Sequence, residues 1–336
     1  MTDLRWILVL IVAVALTPAG NAEDSKPRWS KDILRETFGF SADTPSDVPL
    51  AQLKQGCPAR DCIPSIDHPR FVSAAAATFM DDDDLVLAIE HLGVLRAYPT
   101  FILNHHEIVN DVIAGTPVAV TWCPLCGSGL GFERVIDGEP VEFGVSGVLN
   151  ESDLVMYDRR TQSLWQQISA RAFIGPCRGR SLKPFPLAMT TWGEWKAAHP
   201  TTEVLSTETG IAADYSEKSP YASYENSDRV MFPVSHVSQL AKPKEVVYGL
   251  RLAKGALAVT EALLRSQLSI DIEHQGQQTH WRRNTAGQVS VTVGSDPEPL
   301  LPHRMYWFSW YTFNPDTRLH SAQPDAGTGV ETSSKQ

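Results

Sequence analysis

Two stretches of this chain carry the same order of strand, turn and helix signals, and a duplicated order of that kind confines the fold to two related units. The first stretch reads Leu85-Val86-Leu87-Ala88-Ile89, then a turn at Gly93, then a second apolar run from Val94 to Tyr98. The later stretch reads Val246 to Leu250, a turn at Gly255, Leu257 to Val259, and a helix-like segment from Glu261 to Leu268. A second echo pairs Trp195, His199-Pro200, Thr202 and Val204 with Trp310, Asn314-Pro315, Thr317 and Leu319, and Trp165 and Trp281 fall nearly into step with it. The first echo is offset by 161 positions and the second by 115, so the earlier copy holds about 46 residues that the later copy lacks. The spacing puts this surplus between positions 107 and 163, a span that includes Cys123-Pro124-Leu125-Cys126-Gly127.

Within the earlier copy, Thr116 to Trp122 is apolar and β-branched, and Leu130 to Val135 and Pro140 to Val145 flank an Asp-Gly turn at Asp137-Gly138. Leu154 to Tyr157 and Ser163 to Gln167 are further short strands, while the apolar spacing from Pro99 to Asn110 predicts a helix. The expectation is an α+β, mainly β fold: two related β-rich units with short helices, the first carrying an inserted CxxC segment. Residues 81–206 form the first unit, 207–244 a linker and 245–322 the second unit. The Pro-, Ser- and Asp-rich residues 23–80 form an extended N-terminal segment, and 323–336 a disordered tail.

The first 22 residues have the order of a secretory signal: Arg5, an apolar run from Trp6 to Leu16, then Gly20-Asn21-Ala22 as small residues before a cleavage point. That run is shorter than the roughly 20 residues that cross a bilayer. A periplasmic or secreted protein with no stable membrane span after cleavage is expected. Hydrophobic content of 43% supports a substantial core, and a net charge of −10 argues against nucleic acid as a partner. No other partner is legible. Asp81 to Asp84 lacks the alternate spacing of a calcium loop and reads as a solvated turn.

Five cysteines in an exported chain divide by context. Cys57 and Cys62 share a turn-rich loop and read as a structural disulfide, and Cys177 is left without a role. Cys123 and Cys126 form a knuckle at a strand end, where Gly127 supplies the left-handed geometry that lets both sulfurs face one point. Such a knuckle suits zinc or copper, with the remaining ligands drawn from elsewhere. His106 and Glu107 are the nearest candidates, with His105, Asn110 and Asp111 as a supporting shell. Adjacent histidines on a helix point about 100° apart, so only one of His105 and His106 reaches the sulfurs. Two readings stay open beside metal binding: a periplasmic thiol–disulfide oxidoreductase using Cys123 and Cys126, and a non-catalytic binding module in which the pair is a structural disulfide. The three glycines of Gly127 to Gly131 argue against the helix that activates a thioredoxin-type cysteine. No Gly-x-Ser-x-Gly elbow, phosphate loop, His-Glu-x-x-His or dinucleotide fingerprint is present. Asp158-Arg159 reads as a strand-end ion pair, and Met156 and the tryptophans at 165, 192, 195, 307 and 310 as core.

The segments Leu103 to Asp111, Thr121 to Cys126, Phe143 to Gly147, Met156 to Arg159 and Leu164-Trp165 together resemble domain-of-unknown-function family 3179. The resemblance runs from about Ile63 to His320 and implies an exported protein of bacterial or archaeal type, without an activity. On it, His106, Glu107, Asn110, Asp111, Cys123 and Cys126 match the family's polar signature. Cys57, Cys62 and Cys177 depart from that pattern.

Overall fold

The computed structural model describes residues 32–322, so the expected signal segment and the C-terminal tail lie outside the described residues. The chain is mainly β, with six short α-helices among the described residues, and no helix there is long and apolar enough to cross a membrane. The two echoes in the sequence are two sheets that share a four-strand order, to which the first adds Phe71–Ser73 at its edge. In the first unit the Ala188–Thr191 strand pairs antiparallel with Leu85–His91, which pairs antiparallel with Val94–Pro99, which pairs parallel with Glu203–Leu205. In the second unit His303–Tyr306, Val246–Arg251, Ala256–Thr260 and Thr317–His320 repeat that order and those directions. Each parallel strand is reached through a short helix, Trp192–Ala198 or Trp307–Phe313.

The repeated tryptophans show what the echo preserves. Trp195 Nε1 donates to Thr202 Oγ1 at 3.0 Å, and Trp310 Nε1 donates to Thr317 Oγ1 at 2.8 Å. In both units a fully buried indole thereby finds a partner at the start of the parallel strand, which fixes the helix against the sheet. The other tryptophans named above and Met156 are also core.

Each unit also holds a three-stranded meander. In the first, Ile108–Ile113, Thr116–Cys123 and Ser128–Glu133 pair in sequence; in the second, Ser269–His274, Gln277–Arg283 and Val289–Val293 do. The surplus of the first unit therefore lies further along the chain than the tryptophan spacing places it. Residues 134–187 separate the meander from Ala188–Thr191, whereas only residues 294–302 separate the second meander from His303–Tyr306. Trp281 stands on the middle strand of its meander as Trp122 does, while Trp165 belongs to the added sheet. That sheet runs Lys54–Gln55, Phe143–Asn150, Asp153–Asp158, Leu164–Gln166 and Arg171–Ile174, each antiparallel to the next. The CxxC turn closes the shared meander and abuts the addition.

The helix expected over Pro99 to Asn110 is cut short. Only Thr100–Leu103 is helical; Glu107 takes the left-handed conformation at φ 57°, and Ile108 starts a strand. Backbone bonds explain the break, because Trp122 N donates to Glu107 O at 2.7 Å and begins the meander ladder there. The pair at Asp158-Arg159 also differs from expectation. Arg159 reaches Asp67 and Glu142, and Asp158 instead accepts from Thr161 and from Trp165 Nε1.

Replacing Thr202 or Thr317 by Val leaves a buried indole N–H unpaired, and each change should cost about 1–3 kcal/mol in urea unfolding. The two losses should add in the double variant to within about 0.5 kcal/mol, since each lock sits in its own unit.

Candidate metal centre

The Cys123-to-Gly127 turn is built by the strands on either side. Cys123 pairs with Ser128 in the antiparallel register, and Cys126 N closes the turn on Cys123 O at 3.1 Å. Gly127 has φ 61°, and a Cβ there would meet the Tyr306 ring at 3.0 Å, so both the conformation and the close approach require glycine. The turn is clamped from two directions. Tyr306 N of the second unit donates to Cys126 O at 2.9 Å, and Tyr224 Oη donates to Leu125 O at 2.9 Å.

Both thiols are free and buried. One ligand atom each from Cys123, Cys126 and Asp153 lies within 4.8 Å of the other two. Asp153 opens a strand of the added sheet whose six residues are all buried. Its Oδ1 accepts from Cys126 Sγ at 3.4 Å, and its Oδ2 accepts from Gln166 Nε2 and from Ile168 N at 3.1 Å. Gln166 is held in turn by Asn150, so the carboxylate is oriented by a braced amide. Behind the turn, Ser128, Gln167 and Thr121 form a buried hydrogen-bond chain that ties the meander to the added sheet.

Glu107 is the fourth acid. It is 8% exposed, and no hydrogen bond to its carboxyl occurs among the described residues. Burial and the neighbouring charge of Asp153 push it up to about 8, and burial pushes Asp153 up to about 6. Burial also raises both thiols, Cys126 most. None of the strongest influences on these four groups is a cation. Buried thiols and carboxyls this close to one another cost several kcal/mol if ionised together, unless a positive charge joins them.

His106, expected as an imidazole ligand, is not brought to the sulfurs. Its ring is buried between Pro64 O, 2.8 Å from Nδ1, and Tyr215 Oη, 2.5 Å from Nε2. The carbonyl can only accept, so Nδ1 carries the proton and Nε2 accepts from the tyrosine. The supporting shell is elsewhere too. His105 packs edge-on against Tyr215, Asn110 bonds Asp67 and both backbone groups of Phe143, and Asp111 is engaged by Arg96 and Tyr98. Cys57 and Cys62 are joined in a disulfide, and Cys177 lies apart beside Thr161. Sequence reading passed over Asp153 by starting that strand at Leu154. The available signal was a carboxylate opening an otherwise apolar strand. It also passed over residues 207–244, which supply Tyr215 to His106, Lys218 to Asp81 and Asp84, and Tyr224 to the turn.

The raised acids set a pH dependence for chelator-treated protein. Below its ordinary value near 4.5 Glu107 is protonated whether the chain is folded or not, and its contribution is neutral. As pH climbs to about 8, the unfolded chain releases that proton first, so stability is lost; Asp153 acts alike up to about 6. The urea midpoint should therefore fall between about pH 5 and about pH 8, and Glu107→Gln should flatten the upper part of that fall.

No curated protein and no solved structure matches this chain. A family model does match, over residues 60–294, and its description is "Protein of unknown function (DUF3179)". The match spans the first unit, four of the five strands of its added sheet and the second meander, and the chain belongs to that family.

Proposed function

We propose that the protein is an exported metal-binding protein whose ion is held by Cys123, Cys126 and Asp153. The observation that carries this is the convergence of two thiols and a braced carboxylate within 4.8 Å, buried and without a cation among their strongest influences. Export rests on the signal-like residues 1–22. The donor set favours one of the two metals expected. Copper(I) favours sulfur and imidazole, and His106 is occupied elsewhere. Two thiolates with a carboxylate oxygen suit zinc, which accepts both at tetrahedral positions. Three protein ligands leave one position for Glu107, water or a substrate, the arrangement of zinc centres that do chemistry.

Thiol–disulfide exchange is the competing reading, supported by two free sulfurs beside a carboxylate that can take a proton. It is the weaker of the two. Cys123 and Cys126 are 1% and 0% exposed, and burial raises both thiols, which disfavours the thiolate that such exchange needs.

Protein purified from its native compartment without chelator should carry about one zinc per chain by mass spectrometry. Cys123→Ser, Cys126→Ser and Asp153→Asn should each abolish stoichiometric binding, while His106→Ala should retain it. Gln166→Met, which removes the brace on Asp153, should weaken affinity about 10- to 100-fold. Active protein with Cys123 and Cys126 bridged to each other and no metal would end the proposal.

A further inference from the structure

The Trp307–Phe313 helix of the second unit is anchored at both ends to segments that build the thiol–carboxylate centre. Just before it Tyr306 N donates to Cys126 O at 2.9 Å, and near its end Thr312 Oγ1 donates to Glu151 Oε2 at 3.1 Å, two residues ahead of Asp153. Ser309 lies between these anchors, on the same face as Thr312, and its side chain sits beside that of Cys126. The sister helix Trp192–Ala198 carries Glu194 at the equivalent position, 115 residues earlier. The copies agree at both flanking tryptophans, Trp192 and Trp195 against Trp307 and Trp310, and differ here. Glu194 is partly exposed and pairs with Arg283, whereas Ser309 is fully buried.

The Ser309 hydroxyl has no hydrogen-bond partner among the described residues. A serine inside a helix ordinarily rests its hydroxyl on the carbonyl one turn back, and this one does not. Buried polar groups are rarely left in that condition, because it costs free energy. The state of Cys126 accounts for it. Its thiol is a donor, to Ser152 O at 3.3 Å and to Asp153 Oδ1 at 3.4 Å, and a neutral sulfur is a weak acceptor. A metal-bound cysteine has released that proton to solvent, and its charged sulfur accepts hydrogen bonds strongly.

We infer that Ser309 is a positioning residue of the proposed metal centre, its hydroxyl donating to the Cys126 thiolate once the ion is bound. The inference rests on the metal reading. Both units then complete the centre: the first supplies Cys123, Cys126 and Asp153, and the second orients one of the sulfurs. The departure from the repeat follows from the same contact. A carboxylate in place of Ser309 would repel a thiolate, whereas a hydroxyl donates to it.

The test uses the full chain, chelator-treated or loaded with zinc or with cobalt(II), whose thiolate charge-transfer band reports on the bound sulfurs. Ser309→Ala should move that band to longer wavelength, because a sulfur that loses a hydrogen bond holds its electrons less tightly. It should also weaken zinc affinity about tenfold at unchanged stoichiometry. Ser309→Thr, which keeps the hydroxyl, should restore both. Thr317→Val, which loosens the same helix through Trp310 and leaves Cys126 untouched, should keep the parental band. In urea, Ser309→Ala should leave the midpoint of chelator-treated protein unchanged or raised, since the lost hydroxyl had no partner, and should lower it in zinc-loaded protein. A parental band and affinity in Ser309→Ala, or an equal shift in Thr317→Val, would overturn the inference and leave the metal reading standing. A parent chain that binds neither zinc nor cobalt would overturn the metal reading and this inference with it.

Discussion

Two thiols and two carboxyls lie buried close to one another, and most of the surrounding architecture can be understood as holding them there. Left alone, such groups would separate or reach solvent, because burial and mutual repulsion both penalise their charged forms. Four elements prevent it. The meander fixes Cys123 and Cys126 by strand register, the added sheet fixes Asp153 through Gln166 and Ile168, the left-handed turn fixes Glu107, and Tyr306 and Tyr224 close over the knuckle. The apolar packing of the main core cluster, which includes both cysteines, opposes the electrostatic cost.

The strand pattern was largely legible because half-buried and buried strands announce themselves by β-branched runs between turn residues, as at Thr116 to Trp122. The duplication was legible for the same reason, and its Trp–Thr spacing proved to be a hydrogen bond in each copy. Pro99 to Asn110 misled because a short apolar run has no unambiguous period. The deciding event was the ladder bond from Trp122 to Glu107, a contact between segments that local pattern does not encode.

The centre itself was half legible. Cys123 and Cys126 advertise themselves by spacing and by Gly127, and Glu107 by lying beside an adjacent histidine pair. Asp153 stands 27 positions from Cys126, and the tyrosine that occupies His106 stands 109 positions from it. Neither separation follows from a repeat or a motif, so chain proximity pointed to His106 and overlooked the true neighbour of the sulfurs. That histidine serves the fold in another way. Bonded to Pro64 and Tyr215, it ties residues 207–244 to the first unit.

The family match stops at residue 294, yet the sheet it enters does not. His303–Tyr306 and the Trp307–Phe313 helix follow that boundary, and they bring Tyr306 onto Cys126 O and Ser309 beside the Cys126 side chain. The sister copy is thus more than a relic of gene duplication. A fragment trimmed at the family boundary would uncap the knuckle and open the Val246–Arg251 edge at once, exposing both sulfurs to oxidants and a naked strand to self-association.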